Sequence, residues 1–181
     1  MIANPYTLPS GSQAPEVVNT IIEVPRNSSN KYEYDKELGI MKLDRVLFAA
    51  MRYPGDYGFI PSTLSGDGDP VDVVMLSTYP FASGTLVEAR VVGMLEMTDD
   101  KGRDTKVLAV PVHDPRFSEI KELNHVAAHT LAEIEHFFAE YKSLEGKKVL
   151  SEGWRDRDAA LAEIRESMDR FLGILTEAER A

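Results

Sequence analysis

The sequence predicts an α+β domain whose first two thirds form a β core and whose main helices come late in the chain. From Val17–Val24 to residues 105–112, short apolar or alternating segments are separated by Pro, Gly, Asn and Asp, as in sheets with tight turns. Beyond Pro115, apolar residues recur at steps of three and four, which is the period of an amphipathic helix. The 181 residues contain no repeat or linker, so we expect a single domain spanning 1–181.

The first third of the chain contains three predicted strands between two irregular segments. The prolines and the glycine within residues 1–16 predict an extended arm on the surface. Strands are predicted at Val17–Val24, at 31–35, where charged residues alternate with tyrosines, and at 43–47. Residues 52–61 are rich in proline and aromatic side chains and are predicted to form a rigid loop.

A predicted hairpin follows. Residues 71–76 form a run that is apolar except for Asp72, and residues 85–97 alternate between apolar and charged side chains. Residues 105–112 are apolar on both faces, and the Asp- and Gly-containing segment 98–104 between them is typical of a turn. The pattern therefore predicts two long antiparallel strands.

Two helices are predicted at the end of the chain. The first runs through Leu131 and fades near Leu144, and residues 147–150 are predicted to add a short strand. Residues 151–154 are predicted to break the chain before a last helix capped by Asp156. That helix is expected to bury Leu161, Ile164, Met168, Phe171 and Leu175.

Composition and charge exclude several functions. Nucleic-acid binding draws its affinity from Lys and Arg, so a net charge of −10 without a basic stripe argues against it. No apolar run reaches the roughly 18 residues of a membrane helix, and the N-terminal residues do not have the pattern of a secretory signal. Cysteine is absent, which fits a reducing compartment. We therefore expect a cytoplasmic protein that binds neither nucleic acid nor membranes.

An acidic run at residues 67–72 is the most informative segment. Asp67, Asp69 and Asp72 fall within six residues, next to Pro70 and two glycines that allow the backbone to turn. Three carboxylates brought together repel one another unless a cation lies between them, and hard divalent ions such as Mg²⁺ prefer such oxygen ligands. Because the same residue types are common in solvated turns, the run by itself allows both a cation site and an ordinary turn.

For other acidic residues too, the sequence allows both a functional site and an ordinary surface position. Asp99, Asp100 and Asp104 form a second cluster in the predicted hairpin turn, where Asp is common. Glu23 is a charge within an apolar strand and either lies at its solvent edge or faces a site. A calcium loop of the EF-hand type is excluded, because the positions counted from Asp67 lack its required Gly and Glu.

Taken together, these segments resemble the soluble, magnesium-dependent family I inorganic pyrophosphatases. The resemblance runs from Val17 to about Trp154, and its signature is the D-x-D-P-x-D run of residues 67–72. The other matching segments occur in the family's order and with similar spacing. They are Ile22-Glu23-Val24-Pro25, Asn30-Lys31-Tyr32-Glu33, Asp44-Arg45, Tyr53-Pro54, Tyr57-Gly58, Thr98-Asp99, His136-Phe137-Phe138, Tyr141-Lys142, Leu144-Glu145 and Glu152-Gly153-Trp154.

The resemblance implies a compact five-stranded OB-like β-barrel flanked by helices. It implies hydrolysis of inorganic pyrophosphate to two orthophosphates, which drives biosynthetic reactions that release pyrophosphate. It also implies several Mg²⁺ ions per active site, with Mn²⁺ as an alternative metal, and by analogy a homo-oligomer of six subunits. The alternatives are an OB-like binding module and an inactive metal-binding relative.

The family's functional residues carry over to matching positions of this sequence. Asp69 is expected to be the catalytic base that deprotonates the attacking water. Tyr57 is expected to form a hydrogen bond near that water, with Glu33, Tyr53 and Lys106 in support. The expected metal ligands are Glu23, Asp67, Asp72, Asp99 and Asp104, and the expected substrate-binding residues are Lys31, Arg45, Tyr57, Tyr141 and Lys142. Two positions depart from the family pattern, since Asp100 replaces a common Glu and Asn27 replaces a common Gly.

Overall fold

The structure is a computed structural model that describes residues 4–100 and 102–178. In these residues the strands are β1 (Val17–Val24), β2 (Asn30–Asp35), β3 (Ile40–Val46), β4 (Asp56–Phe59), β5 (Asp72–Met75), β6 (Leu86–Asp99), β7 (Gly102–Arg103), β8 (Lys106–Pro111) and β9 (Leu150–Arg155). The two α-helices are α1 (Ala128–Glu140) and α2 (Arg157–Ala178). Within the same residues, no helix is both long and apolar enough to cross a membrane.

Five of the strands close into a ring. β1 pairs with β4, β4 with β5, β5 with β8 and β8 with β6, and β6 returns to β1, where Val18 lies opposite Ala89. β5 and β8 run parallel, whereas the other neighbours in the ring are antiparallel. This closed ring, with its two late helices, confirms the predicted α+β fold and its five-stranded OB-like barrel.

The long strand β6 connects the ring to the rest of the sheet. Its middle pairs with β8, and an irregularity between Val91 and Gly93 bends the strand. Its last residues pair with β7 on one side and with β9 on the other. The antiparallel β6–β8 pair confirms the predicted hairpin. β2 and β3 form a separate two-stranded sheet.

Both faces of the ring are covered, which explains why most residues of its strands are buried. In β5, Val74 belongs to one buried cluster, whereas Val73 and Met75 belong to the other. Helix α1 adds Ile134, Phe137 and Phe138 to the first cluster. Helix α2 adds Ala160, Leu161 and Ile164 to the second. The two helices therefore pack on opposite faces of the strands.

Two predictions about the first sixty residues are wrong. The predicted loop 52–61 contains β4, which is buried along its whole length because it lies between β1 and β5. Residues 4–16 lie mostly at the surface, as predicted, but they are not an extended arm, since they form a 3-10 helix at Pro5–Thr7 and pack against the ring. Tyr6 stacks on Phe59 with 4.6 Å between ring centroids, and Ser10 is buried. Residues 1–3 lie outside the described residues.

The end of the chain also differs from its prediction. The predicted break at 151–154 lies within β9, where Trp154 pairs with Leu95. Leu175 is 44% exposed, because the last turns of α2 extend past the strands that the helix covers. Leu161 and Ile164 are buried as predicted.

Gly58 is required by a close approach between β1 and β4. It lies opposite Ile22, and a Cβ atom at this position would lie 1.8 Å from the carbonyl oxygen of Ile21. Because that obstacle is backbone, it cannot move aside without shifting a strand of the ring.

We therefore expect Gly58→Ala to lower the free energy of unfolding by about 3 kcal/mol, as in other overpacked cores. The measurement is the midpoint and slope of denaturant unfolding. Gly173→Ala is the matched control, because the space around Gly173 in α2 is open and alanine favours a helix. Equal unfolding curves for Gly58→Ala and the wild type would contradict the close approach.

Candidate active site

One cleft, with a volume of about 520 Å³, contains all the residues predicted to act in catalysis, substrate binding and metal binding. The ends of several strands reach it, including Glu23 near the end of β1, Asp72 at the start of β5 and Asp99 at the end of β6. The eleven predicted residues on its walls are Glu23, Lys31, Arg45, Tyr57, Asp67, Asp69, Asp72, Asp99, Asp104, Tyr141 and Lys142. Of the three supporting residues, Glu33 and Lys106 also line the cleft, and Tyr53 is buried.

The loop between β4 and β5 presents Asp67 and Asp69 to the cleft. The hydroxyl oxygen of Thr63 accepts a hydrogen bond from the Val71 amide at 3.0 Å, which closes the base of the loop. Inside the loop, the Ser65 amide donates to the Asp69 carbonyl at 2.7 Å, and the Asp69 amide donates to the Asp67 carboxylate at 3.1 Å. Both side chains are exposed, so their carboxylate oxygens are accessible to a ligand.

Lys106 joins the two acidic segments. Asp72 lies opposite Lys106 in the parallel β5–β8 pair, and Asp104 precedes Lys106 by two residues. The Lys106 ammonium contacts both carboxylates and is only 4% exposed. Burial lowers the pKa of Lys106, but the charges of Asp72 and Asp104 raise it by more, so the net shift is upward. A positive charge is therefore already held between two predicted metal ligands.

Glu23 faces the cleft from β1 and is almost fully buried. Its carboxylate accepts a hydrogen bond from the Tyr34 amide at 2.9 Å. Burial raises the pKa of Glu23 to about 8, and the nearby charge of Asp72 adds to this rise. The position thus resolves the choice that the sequence left open, since Glu23 lies at the site and not at a solvent edge.

Lys31 and Arg45 lie opposite each other on β2 and β3, and both contact the carboxylate of Asp44. The Lys31 ammonium contacts Glu33 and lies 3.3 Å from Asp44. Arg45 forms an ion pair with Asp44, and its Nε atom donates to Glu145 at 2.8 Å. Burial lowers the pKa of Lys31, but the hydrogen bond to Glu33 and the charges of Glu33 and Asp44 together shift it upward. Both side chains therefore bring positive charge to the cleft.

Helix α1 and the residues after it contribute the remaining predicted groups. The Lys142 ammonium lies 3.0 Å from the Asp99 carboxylate. Tyr141 stacks on Phe137 with 5.0 Å between ring centroids, and Tyr53 packs against Phe137 at 4.8 Å. These buried rings fix the end of α1 against the ring of strands, and so they position Tyr141 and Lys142 at the cleft.

Several cleft residues were missed by the sequence prediction. Lys36 and Lys147 line the cleft, and both lie in charged surface segments that offered no local signal of a site. Tyr6 and Tyr34 also line it, and the Lys36 ammonium lies 4.3 Å from the centroid of the Tyr6 ring. Tyr6 could not have been found from its sequence neighbours, because only the packing of the N-terminal segment brings it there.

The chemistry of the cleft suits hard cations and phosphate anions. It is lined by nine carboxyl groups and six cationic groups, so it carries excess acid. Within residues 4–100 and 102–178, no three acidic, histidine or cysteine side chains converge closely enough to hold a metal ion. The aspartates of the 67–72 run thus do not meet at one point, because Asp72 contacts Lys106. The donor set still fits Mg²⁺, since the cleft offers carboxylate oxygens, the ligands that hard divalent cations prefer.

A cleft that combines carboxylates with lysines and an arginine suits a protein that binds a phosphate anion together with metal ions. Comparison with known proteins identifies the class more closely. A family model described as inorganic pyrophosphatase matches residues 20–172. An inorganic pyrophosphatase from Thermus thermophilus is 55% identical over 175 residues, which cover 95% of this chain and 100% of that protein.

Two further comparisons agree. An inorganic pyrophosphatase from Methanosarcina acetivorans is 49% identical over 157 residues, covering 87% of this chain and 94% of that protein. A crystal structure of inorganic pyrophosphatase from Thermus thermophilus superposes with a TM-score of 0.91 at 55% identity, covering 93% of this chain and 99% of that one. The chain belongs to the inorganic pyrophosphatase family.

The protein is a hydrolase that converts inorganic pyrophosphate into two orthophosphates. The family is metal-dependent, generally on Mg²⁺. Neither the binding module nor the inactive relative is favoured by these comparisons.

The buried contact of Lys106 generates a test. Lys106→Met leaves Asp72 and Asp104 close together without the charge between them, so the variant should lose about 3 kcal/mol of stability in EDTA. In millimolar Mg²⁺ we expect a smaller loss, because a bound cation supplies the missing charge. Denaturant unfolding under both conditions measures the difference, with the exposed Lys148→Met as control. A loss of equal size in EDTA and Mg²⁺ would show that no cation replaces Lys106.

Proposed function

We propose that the cleft hydrolyses pyrophosphate with Mg²⁺ ions held by carboxylates and with Asp69 as the catalytic base. The proposed metal ligands are Glu23, Asp67, Asp72, Asp99 and Asp104. When bound, Mg²⁺ lowers the pKa of a coordinated water and neutralises phosphate oxygens. The observation that carries the proposal is that these carboxylates share one cleft with Lys31, Arg45 and Lys142.

Asp69 is proposed to accept a proton from the attacking water. Its carboxylate is exposed to the cleft, and its backbone is held inside the 63–71 loop, so the side chain is accessible while its base is fixed. The water oxygen forms a bond to one phosphorus, the bond from that phosphorus to the bridging oxygen breaks, and the water's proton goes to Asp69. The bridging oxygen leaves with the second phosphate.

Lys31, Arg45 and Lys142 are proposed to hold the two phosphoryl groups. An ammonium has three N–H donors and a guanidinium has five. Lys142 directs one donor to Asp99, and Arg45 directs its Nε and Nη1 atoms to carboxylates, so donors remain for phosphate oxygens. The leaving phosphate gains charge as its bond breaks, and these cations stabilise that charge.

Tyr57 and Tyr141 complete the proposed substrate contacts. Burial raises the pKa of the Tyr57 hydroxyl well above its usual range, and the charge of Asp72 adds to the rise. The hydroxyl therefore stays protonated at neutral pH and can donate a hydrogen bond near the attacking water. Tyr141 lines the same cleft beside Lys142.

We further propose that residues 1–181 act as one catalytic domain in the cytoplasm, as a homo-oligomer of six subunits, with Mn²⁺ as an alternative metal. The excess acid of the chain supports a protein that binds neither nucleic acid nor anionic membranes. Large apolar side chains on the surface support an assembly, for example Phe48 and Tyr79.

The proposed metabolic role is to remove pyrophosphate, which shifts the equilibrium of pyrophosphate-releasing biosynthetic reactions toward their products.

The metal requirement is tested by phosphate release. Purified protein in millimolar Mg²⁺ should release two phosphates per pyrophosphate, and excess EDTA should abolish the release. The physical reason is that the acidic cleft repels pyrophosphate until cations reverse its charge. Undiminished release in EDTA would show that the reaction proceeds without the proposed metals.

The role of Asp69 is tested by Asp69→Asn. The amide keeps the shape of the side chain but cannot accept the proton, so kcat should fall by about 100-fold or more. Binding of pyrophosphate should be retained, because Lys31, Arg45 and Lys142 are unchanged. Steady-state kinetics in saturating Mg²⁺ give both values, and Asp169→Asn on the exposed surface of α2 is the control. An unchanged kcat would remove Asp69 from the mechanism.

A further inference from the structure

Helix α2 carries a buried carboxylate that the mechanism does not use. Glu163 is 6% exposed, and it lies on the face of the helix that packs on the strands, next to the fully buried Ile164. A buried carboxylate needs charged or hydrogen-bonding partners. One carboxylate oxygen of Glu163 accepts from Arg103 at 2.7 Å, and the other accepts from Arg170 at 2.9 Å. Glu163 therefore connects α2 to two arginines at once.

Arg170 connects this carboxylate to the loop that carries Asp67 and Asp69. Its Nε atom donates to the carbonyl of Leu64 at 2.8 Å, and its Nη2 atom donates to the buried hydroxyl of Ser167 at 2.7 Å. The Leu64 amide in turn donates to the carbonyl of Ser167 at 2.9 Å. Leu64, the residue after Thr63 in this loop, is therefore held to α2 by hydrogen bonds of both its amide and its carbonyl group.

Arg103 connects the same carboxylate to the other acidic segment. It lies in β7, directly before Asp104, and its Nε atom also donates to Glu96 at 3.1 Å. Glu96 accepts a further hydrogen bond from Arg155 of β9 at 2.9 Å. A continuous line of charged contacts therefore runs from β9 through β6 and β7 to α2, and ends at the Leu64 carbonyl.

We propose that Glu163, together with Arg103 and Arg170, is a positioning device for the acidic segments of the active site. One carboxylate holds the Asp67–Asp69 loop and Asp104 at a fixed distance, because the β5–β8 pairing begins only at Asp72 and Lys106, beyond both segments. The inference rests on the proposed roles of these aspartates as metal ligands and base. None of the three positioning residues lines the cleft, so they act through the residues they hold.

The geometry favours this role over simple attachment of the helix. Ala160, Leu161 and Ile164 already fix α2 to the ring through the buried cluster. Attachment alone would not require a desolvated carboxylate, because buried charges are costly unless every partner is in place. Moreover, both arginines that contact Glu163 reach the site: Arg170 contacts the loop that carries Asp67 and Asp69, and Arg103 directly precedes Asp104.

The first test is amide hydrogen exchange of the metal-free, full-length protein. Arg170→Met should speed exchange at the Ser65 and Gly68 amides by about tenfold, the effect of losing hydrogen bonds from a charged donor. Arg103→Met should speed exchange at the Asp104 amide, and Glu163→Gln should affect both segments, because an amide cannot accept at both ends. Arg165→Met is the control. Arg165 lies on the same helix, but it forms an exposed ion pair with Glu16, which precedes β1. Faster exchange spread evenly over the chain, or none at these amides, would overturn the inference.

The second test is calorimetric titration of Mg²⁺ without substrate. Arg170→Met and Glu163→Gln should bind Mg²⁺ about 10-fold more weakly, as when residues that orient metal ligands are removed, whereas Arg165→Met should bind as the wild type does. Asp67→Asn and Asp72→Ala are titrated alongside. If the aspartate variants lose affinity and the arginine and glutamate variants do not, the positioning role is wrong while the proposed metal site stands. If the aspartate variants keep full affinity, the proposed metal site itself is wrong.

Discussion

The parallel register between β5 and β8 is the constraint on which the active site depends. It places Asp72 opposite Lys106, whose ammonium also contacts Asp104, two residues before the start of β8. A shift of one residue would turn these side chains to the opposite face, into the apolar cluster that contains Val73 and Val107. The burial of both faces of the ring thus enforces the register, and the register assembles the charges.

The site combines two kinds of charge that would be unfavourable separately. A cleft with carboxylates alone would repel its anionic substrate, and one with lysines alone would hold phosphate without activating water. In this protein lysines contact several of the carboxylates directly, as Lys106 and Lys142 do. Each ammonium limits the repulsion between neighbouring acids while leaving oxygen atoms for cations. The acidity of the whole chain is therefore compatible with an anionic substrate, because cations mediate the contact.

The sequence predicted the parts of the structure whose signals are local. The acidic run, the amphipathic helices and the long hairpin depend on neighbouring residues, and the fold that the ordered motifs implied is correct. β4 was missed because Pro54 and Gly55 suggested a loop, whereas its strand pairing is decided by partners far along the chain. Glu163 did carry a signal, since a charge within the apolar stripe of a helix predicts a buried partner. Arg170 lies seven residues along the same face of α2, but the partner Arg103 could not be named, because it is 60 residues away.

The closure of the ring has a consequence for how the chain folds. β1 cannot complete its pairing until β6 is present, since the pairs that close the ring join residues as distant as Val17 and Arg90. Contacts of such long range form slowly, because the entropy of closing a long loop is lost before any contact compensates for it. During synthesis the first strand leaves the ribosome well before its last partner, and its apolar residues Val18 and Ile22 stay exposed in the meantime. The topology that brings the catalytic charges together is thus also the feature that delays the native state.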